Sequence, residues 1–253
     1  MVQICALASG SNGNCYYIGN ENEAILIDIG ISNRQLTERL KRAGLSLWKI
    51  KALFITHEHA DHIKGMRIVT EKNKLEAYVT KKTHEKARKD FRSKKVNFFL
   101  PSDIIDVGSI KVHSFSKQHD AIDPVSFRVE INGLNIAVLT DLGAACDNVK
   151  KHLGICNAAF LESNYEHDLL FEGKYPAFLK QRVSSDFGHL SNDQAFELVK
   201  SLEKSPLKTI FLSHISEDNN STDLALNKFK SLNSSHNIEL TSRYAHSKVV
   251  EIT

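Results

Sequence analysis

Cysteine is scarce in this chain of 253 residues. The four present, Cys5, Cys15, Cys146 and Cys156, are widely spaced and form no Cys-x-x-Cys pair. That pattern excludes a disulfide framework and a structural zinc knuckle, and it fits small buried thiols in a reducing compartment. Long apolar runs are missing too, and the opening Met-Val-Gln-Ile-Cys-Ala-Leu lacks the basic start and long apolar stretch of a secretory leader. A cytoplasmic protein with no membrane contact is expected. There is no Pro/Gly/Ser linker, no low-complexity tract and no repeat of solenoid length. One domain over residues 1–253 is therefore the economical organisation. A net charge of only +3 excludes little, but positive charge is concentrated locally. Between Lys81 and Lys95 lysine and arginine dominate, with Glu85 and Asp90 the only acids. A helix there would offer either a face for phosphates or a merely solvated surface.

What is present is the composition of an ordinary globular protein, 42% apolar and 25% charged. Strands are expected at Ile4 to Ala8, Cys15 to Ile18, Ala24 to Ile29, Lys51 to Thr56, Ala77 to Val79, Asn97 to Leu100, Ile104 to Val107 and Ile110 to Phe115. Val125 to Ile131 and Leu134 to Leu139 follow, joined by Asn132-Gly133, a two-residue hairpin turn. Later strands are read at Ala159 to Leu161, Lys208 to Leu212 and Val249 to Ile252. Ser32 caps a helix to about Ala43, a second runs from about His62 to Glu71, Ser191 caps one through Leu202, and Asn220 to Leu232 is amphipathic. Strands pair as meanders and then alternate with helices, which suits two sheets with helices outside them.

Residues able to do chemistry collect where apolar runs end. Ile25-Leu26-Ile27 ends in Asp28, and a buried carboxylate without a partner is costly. Ala52-Leu53-Phe54-Ile55 leads into His57-Glu58-His59-Ala60-Asp61-His62. Residues two apart in an extended segment face the same way, so His57 and His59 share a site. Asp61 and His62 bend round to a neighbouring one as the chain turns into a helix. Imidazole and carboxylate suit zinc and other divalent transition metals. The strand-end theme recurs at Asp141, at Glu162 and at His214, while His119 sits within a polar loop and His189 just before the Ser191 cap. Ser9 to Asn14 is a loop of residues that tolerate tight backbone, and alone it reads as a turn. His84, His113, His152, His167, His236 and His246 have no such context and read as surface or satisfied histidines.

Taken in order, Asp28, His57/His59/Asp61/His62, His119, Asp141 and His214 resemble the motifs of metallo-β-lactamase-fold hydrolases along the whole chain. The resemblance implies an α+β fold, a four-layer αββα sandwich with a metal site at one rim. It implies two divalent ions, Zn²⁺ or Mn²⁺. His57, His59 and His119 would bind one, Asp61, His62 and His214 the other, and Asp141 would bridge them. Asp28 would orient a ligating imidazole through its distal nitrogen, and Asp61 would guide the nucleophile's proton. True β-lactamases carry Cys where this chain has Asp141, which argues against antibiotic hydrolysis. Flavodiiron proteins carry Glu where it has His59, which argues against redox iron. The tRNA 3′-processing endonucleases of the fold have a Gly-His-Ser/Thr segment that Gly188-His189-Leu190 resembles, so His189 would contact phosphate or protonate the leaving group. No insertion resembles their tRNA-binding arm.

A closer resemblance rests on Ala8 to Cys15, His119 to Pro124, Glu162-Ser163-Asn164, Gly188 to Asn192, and Ser213-His214 with Glu217 to Asn220. These segments are similar to the YycJ/WalJ group, bacterial cytoplasmic members linked to 5′-to-3′ exonuclease activity on DNA. The comparison implies that the Ser9–Asn14 loop overhangs the metals, with Ser9, Asn12 and Asn14 as substrate contacts, and that Arg243 lies near a phosphate. The expected function is a dinuclear metal-dependent phosphodiesterase on nucleic acid, a 5′-to-3′ DNA exonuclease using a metal-bound hydroxide. The alternatives are a glyoxalase-II-like thioester or small phosphodiester hydrolase, and a metal-stabilised regulatory protein with little turnover.

Overall fold

Apolar runs set the strands, and the computed structural model describes every residue except Glu203 and Asn233. In chain order the strands are β1 (Val2–Ala8), β2 (Cys15–Gly19), β3 (Ala24–Ile27), β4 (Ile50–Phe54), β5 (Glu76–Thr80), β6 (Val96–Phe99) and β7 (Ile104–Val107). They continue with β8 (Ile110–Ser116), β9 (Val125–Ile131), β10 (Leu134–Leu139), β11 (Ala158–Glu162), β12 (Thr209–Ser213), β13 (Asn237–Leu240) and β14 (Val250–Ile252). The helices are α1 (Asn33–Arg42), α2 (Ala60–Ile63), α3 (Met66–Asn73), α4 (Lys81–Lys86), α5 (Asp147–Leu153), α6 (His167–Glu172), α7 (Ala177–Val183), α8 (Asn192–Lys200) and α9 (Thr222–Phe229). The strands belong to two mixed sheets of seven, an α+β arrangement. Among the described residues, no helix is long and apolar enough to cross a membrane.

The chain gathers into two compact units. The first comprises Met1–Ser116, Ala121–Leu134 and Ser242–Thr253, and the second Lys117–Asp120 and Asn135–Thr241.

In the first unit one sheet has the order β14-β1-β2-β3-β4-β5-β6. Its β3, β4, β5 and β6 are parallel, with Ile27 beside Phe54 and Phe54 beside Tyr78. Every residue of β2 and β3 is buried, as in a sheet covered on both faces. The parallel register brings the C-terminal ends of β3, β4 and β5 to one edge, where Asp28, the 55–62 segment and α4 begin. Leu7, Leu26, Leu36, Leu53, Ile63, Met66 and Val69 belong to the apolar cluster of this unit. As expected, α1 starts at a capping box in which Ser32 accepts from Gln35 N–H, and Gly44 beyond its end has φ +69°.

Two expectations fail here for local reasons. The helix expected from His62 to Glu71 is broken into α2 and α3 at Gly65. Gly65 N–H donates to Ile29 O at 2.9 Å, and a β-carbon on Gly65 would lie 2.2 Å from Ile31 O. The backbones must pass too closely there for a continuous helix. The basic stretch is helical only over Lys81–Lys86. Continuing it would stack like charges at i, i+4 spacing. Instead Arg88 turns onto Asp90 at 3.0 Å, and Arg92 donates to the carbonyls of Ala87 and Glu85.

In the second unit β10, β11, β12 and β13 run parallel. Leu139, Leu161 and Leu212 lie side by side, so Asp141, Glu162 and His214 leave one edge together. No pattern in the sequence announces β13, α5, α6 or α7.

Candidate metal centre

The first unit supplies a buried set of imidazoles, and the proton positions follow from what their partners can accept. Asp28 is fully buried. Its Oδ1 accepts Thr56 N–H at 2.8 Å, and its Oδ2 accepts the Thr56 hydroxyl at 2.8 Å. The same Oδ2 lies 2.7 Å from His62 Nδ1, and a carboxylate only accepts, so Nδ1 carries the proton. His62 Nε2 is then a lone-pair donor, and it lies 2.9 Å from the amide nitrogen of Asn14. The Thr56 hydroxyl donates its hydrogen to Asp28, so its oxygen accepts from His57 Nδ1 at 2.9 Å. His57 Nε2 is thereby turned towards His59 Nδ1, 3.1 Å away. Two imidazole nitrogens brought this close are ligand atoms that one cation could share. Asp61 completes the group, with Oδ2 3.4 Å from His62 Nε2.

The second unit repeats the device with other acceptors. His119 Nδ1 donates to Gly188 O at 3.1 Å, which aims Nε2 at Asp141 Oδ1, 3.8 Å away. Burial, working against the pull of Asp141, holds His119 down at about 4, so the ring is neutral and ready to ligate at pH 7. Glu162 Oε1 lies 2.8 Å from His189 Nδ1 and 2.9 Å from His214 Nδ1. Its Oε2 accepts Leu142 N–H at 2.6 Å and Leu190 N–H at 3.2 Å. Burial pushes the Glu162 carboxyl upward, but the His189 charge and the two imidazole hydrogen bonds outweigh it and hold the acid at about 2. Asp141, Glu162, His189 and His214 each offer a ligand atom within 4.8 Å of the others. The donor set in both units therefore fits a hard or borderline divalent cation.

Backbone conformation explains how strand ends deliver these side chains. Asp28, Asp141 and His214 all have positive φ, at 61°, 54° and 55°. Left-handed backbone is uncommon outside glycine, and Asp, Asn and His are among the residues that tolerate it. At each place the chain turns sharply off the sheet and leaves the side chain at the edge.

The expected substrate contacts fall in different environments. Asn12 is exposed, and its carbonyl accepts from Lys64. Ser9 is buried, with its hydroxyl 2.8 Å from that of Tyr16. Asn14 is fully buried against His62 and Asp61, a supporting position and not a rim position. Arg243 packs on the loop, since a β-carbon at Gly10 would lie 3.3 Å from its Cβ, and Arg39 donates to its carbonyl at 3.0 Å. Glu162 joins these residues as the shared acceptor of His189 and His214. Its signal was the strand-end carboxylate already noted for Asp28. His84 and His113 prove satisfied, by Ser93 O and Glu130 respectively.

Comparison with known proteins gives the family and the fold. A family model described as a β-lactamase superfamily domain matches residues 23–215. The chain is 34% identical over 222 residues to the exodeoxyribonuclease YycJ of Bacillus anthracis, covering 87% of this chain and 84% of the relative. It is 32% identical over 224 residues to the exodeoxyribonuclease WalJ of Streptococcus pneumoniae, covering 87% and 83%. Among solved structures, the metallo-β-lactamase-fold protein YhfI from Bacillus subtilis is similar in fold, with a TM-score of 0.73 at 13% identity, covering 99% of this chain and 100% of that one. The αββα sandwich expected from the sequence motifs is thereby borne out.

Proposed function

Because this chain belongs to the β-lactamase superfamily and is a metallo-β-lactamase-fold hydrolase, we propose that it is a metal-dependent exodeoxyribonuclease that degrades DNA from a 5′ end. In this reading two divalent ions, Zn²⁺ or Mn²⁺, are held as the family pattern implies. His57, His59 and His119 would hold one ion and Asp61, His62 and His214 the other, and Asp141 would serve both. When bound, the ions lower the pKa of water and draw charge from a phosphoryl oxygen. The chain's own part is orientation and proton transfer. Asp28 and Thr56 fix the rings of His62 and His57, Gly188 O fixes His119, and Glu162 fixes His214. Asp61 takes the proton of the attacking water. His189, held by Glu162, gives a proton to the departing oxygen. The loop from Ser9 to Asn12 and Arg243 contact the substrate, and the basic 81–95 stretch meets phosphates beyond it. A reducing cytoplasm accords with four free cysteines.

One observation carries the proposal. His57, His62, His119 and His214 are each anchored through Nδ1 to an oxygen, so that each presents Nε2. The test is digestion of 5′- and 3′-labelled single- and double-stranded DNA and RNA by the purified protein with Mn²⁺ or Zn²⁺. Release of nucleotides from the 5′ end of DNA, lost in Asp141→Ala, is the expected outcome. Full nuclease activity in Asp141→Ala would overturn the assignment, and hydrolysis of a thioester without DNA cleavage would favour the glyoxalase-II-like alternative.

A further inference from the structure

The second unit displays apolar side chains where folding has no use for them. Helix α7 has no buried residue, so it gains little from the core. Phe178 on it is 73% exposed, and Phe187, which follows it, is 56% exposed. Of the four phenylalanines that are exposed among the described residues, three lie between 171 and 187. Phe171 packs on the His167 ring at 4.6 Å, whereas Phe178 and Phe187 stand in solvent. Scattered exposed apolar residues need no explanation, whereas a local concentration of aromatics does. The same segment, 174–187, carries Lys174, Lys180 and Arg182 against Asp186 as its sole acid.

This segment is tied to His189. His189 N–H donates to Val183 O at 2.9 Å, and Gly188 N–H donates to Ser185 O at 2.8 Å. A β-carbon on Gly188 would lie 2.2 Å from Val183 O, so the turn closes tightly on the end of α7. Arg182 Nε lies 2.5 Å from Asp120 Oδ2, and Asp120 N–H donates to Phe187 O at 2.9 Å. Phe187 is thus fixed two residues from His189, and α7 is pinned to the loop that carries His119.

We propose that residues 174–187, α7 with the segments on either side of it, form a stacking platform for unpaired DNA bases, with Phe178 and Phe187 as the faces and Lys174 as a phosphate contact. The inference rests on the nuclease reading above and deepens it. Aromatic faces interleaved with basic side chains are what an unpaired strand requires, because every base has a π-face and every linkage a charge. Continuity with His189 selects nucleic acid as the occupant.

The test measures fluorescence anisotropy of labelled oligo(dT) and of an abasic strand of equal length, both phosphorothioate-linked to resist cleavage, on metal-replete protein. Wild type should prefer oligo(dT). Phe178→Ala/Phe187→Ala should bind oligo(dT) about tenfold more weakly, as loss of base stacking implies, while its affinity for the abasic strand stays at the wild-type value. Phe178→Tyr/Phe187→Tyr should restore the preference. Equal loss on both strands, no loss on oligo(dT), or failure of the Tyr pair to rescue would overturn the platform while leaving the nuclease reading intact. Wild-type protein that binds neither strand would overturn both.

Discussion

Glu162 Oε1 accepts from His189 Nδ1 at 2.8 Å inside a region where the carboxylate is fully buried. The same oxygen serves His214 at 2.9 Å, so one acid fixes the ring proposed to act on the leaving group and a ring proposed to bind metal. Glu162→Gln keeps the shape but turns one oxygen into a donor facing Leu142 and Leu190 N–H, or facing the two imidazoles. Turnover on DNA should fall about 100-fold and stability by about 1–3 kcal/mol, the cost of unsatisfied buried polar groups. Steady-state kinetics and thermal denaturation read the two effects separately. Unchanged turnover would remove Glu162 from the mechanism.

Asp28 acts one step away from the proposed metal ligands of the first unit, through the ring of His62. Asp28→Asn presents an amide to Thr56 or to His62 Nδ1 and frees the ring from its tautomer. Metal affinity should drop about 10–100-fold, as for other residues that orient a ligating imidazole. Titration with Zn²⁺ against a competing chelator measures it, and an affinity equal to wild type would contradict the orienting role.

Gly30 and Gly44 separate steric from conformational cost. A β-carbon at Gly30 would lie 1.6 Å from Asp61 O, and Gly30 N–H donates to Asn14 O at 2.7 Å. Gly30→Ala must push the turn away from the Asn14–Asp61 backbone, at a cost of about 3 kcal/mol. Gly44 has open space around it but a φ of +69°, so Gly44→Ala should cost about 1 kcal/mol. Urea denaturation of both variants gives the difference.

Thiol chemistry offers a check that is independent of activity. Burial pushes the Cys5 thiol up to about 11 and Cys15 well above its usual value. A raised pKa means less thiolate at pH 8, so neither should react with a disulfide reagent in the native state. Cys156 is buried as well, whereas Cys146 is half-buried. One rapid equivalent of reaction, mapped to Cys146, is expected, rising to four in denaturant. Rapid native labelling of Cys5 would contradict its burial.

The sequence was most informative where a strand ends. Asp28, His57 and Asp141 each follow an apolar run, and strand alternation alone pairs His57 with His59. It was least informative where tertiary approach overrides local pattern. Nothing near Gly65 says that its backbone must pass beside Ile29 and Ile31, so α2 and α3 read as one helix. Asn14 looked like part of a loop over the substrate because its neighbours are small and polar. Only the fold reveals that its amide lies against His62. Glu162 carried the same local signal as Asp28, but its two histidine partners come from segments 27 and 52 residues further on, a pairing that no local pattern can express.

The left-handed backbone at Asp28, Asp141 and His214 restricts which side chains can be exchanged there. Asn accepts that conformation at little cost, whereas Glu, Cys and other residues with a less accommodating β-carbon must bear the strain in full. His59, at φ −61° and ψ 142°, is under no such restriction. If His59 binds metal as proposed, alteration of metal preference is open there, while the three turns admit only a narrow set of replacements. A search for ligand variants with new metal selectivity should randomise His59 first and leave Asp28, Asp141 and His214 to Asn, Asp and His alone.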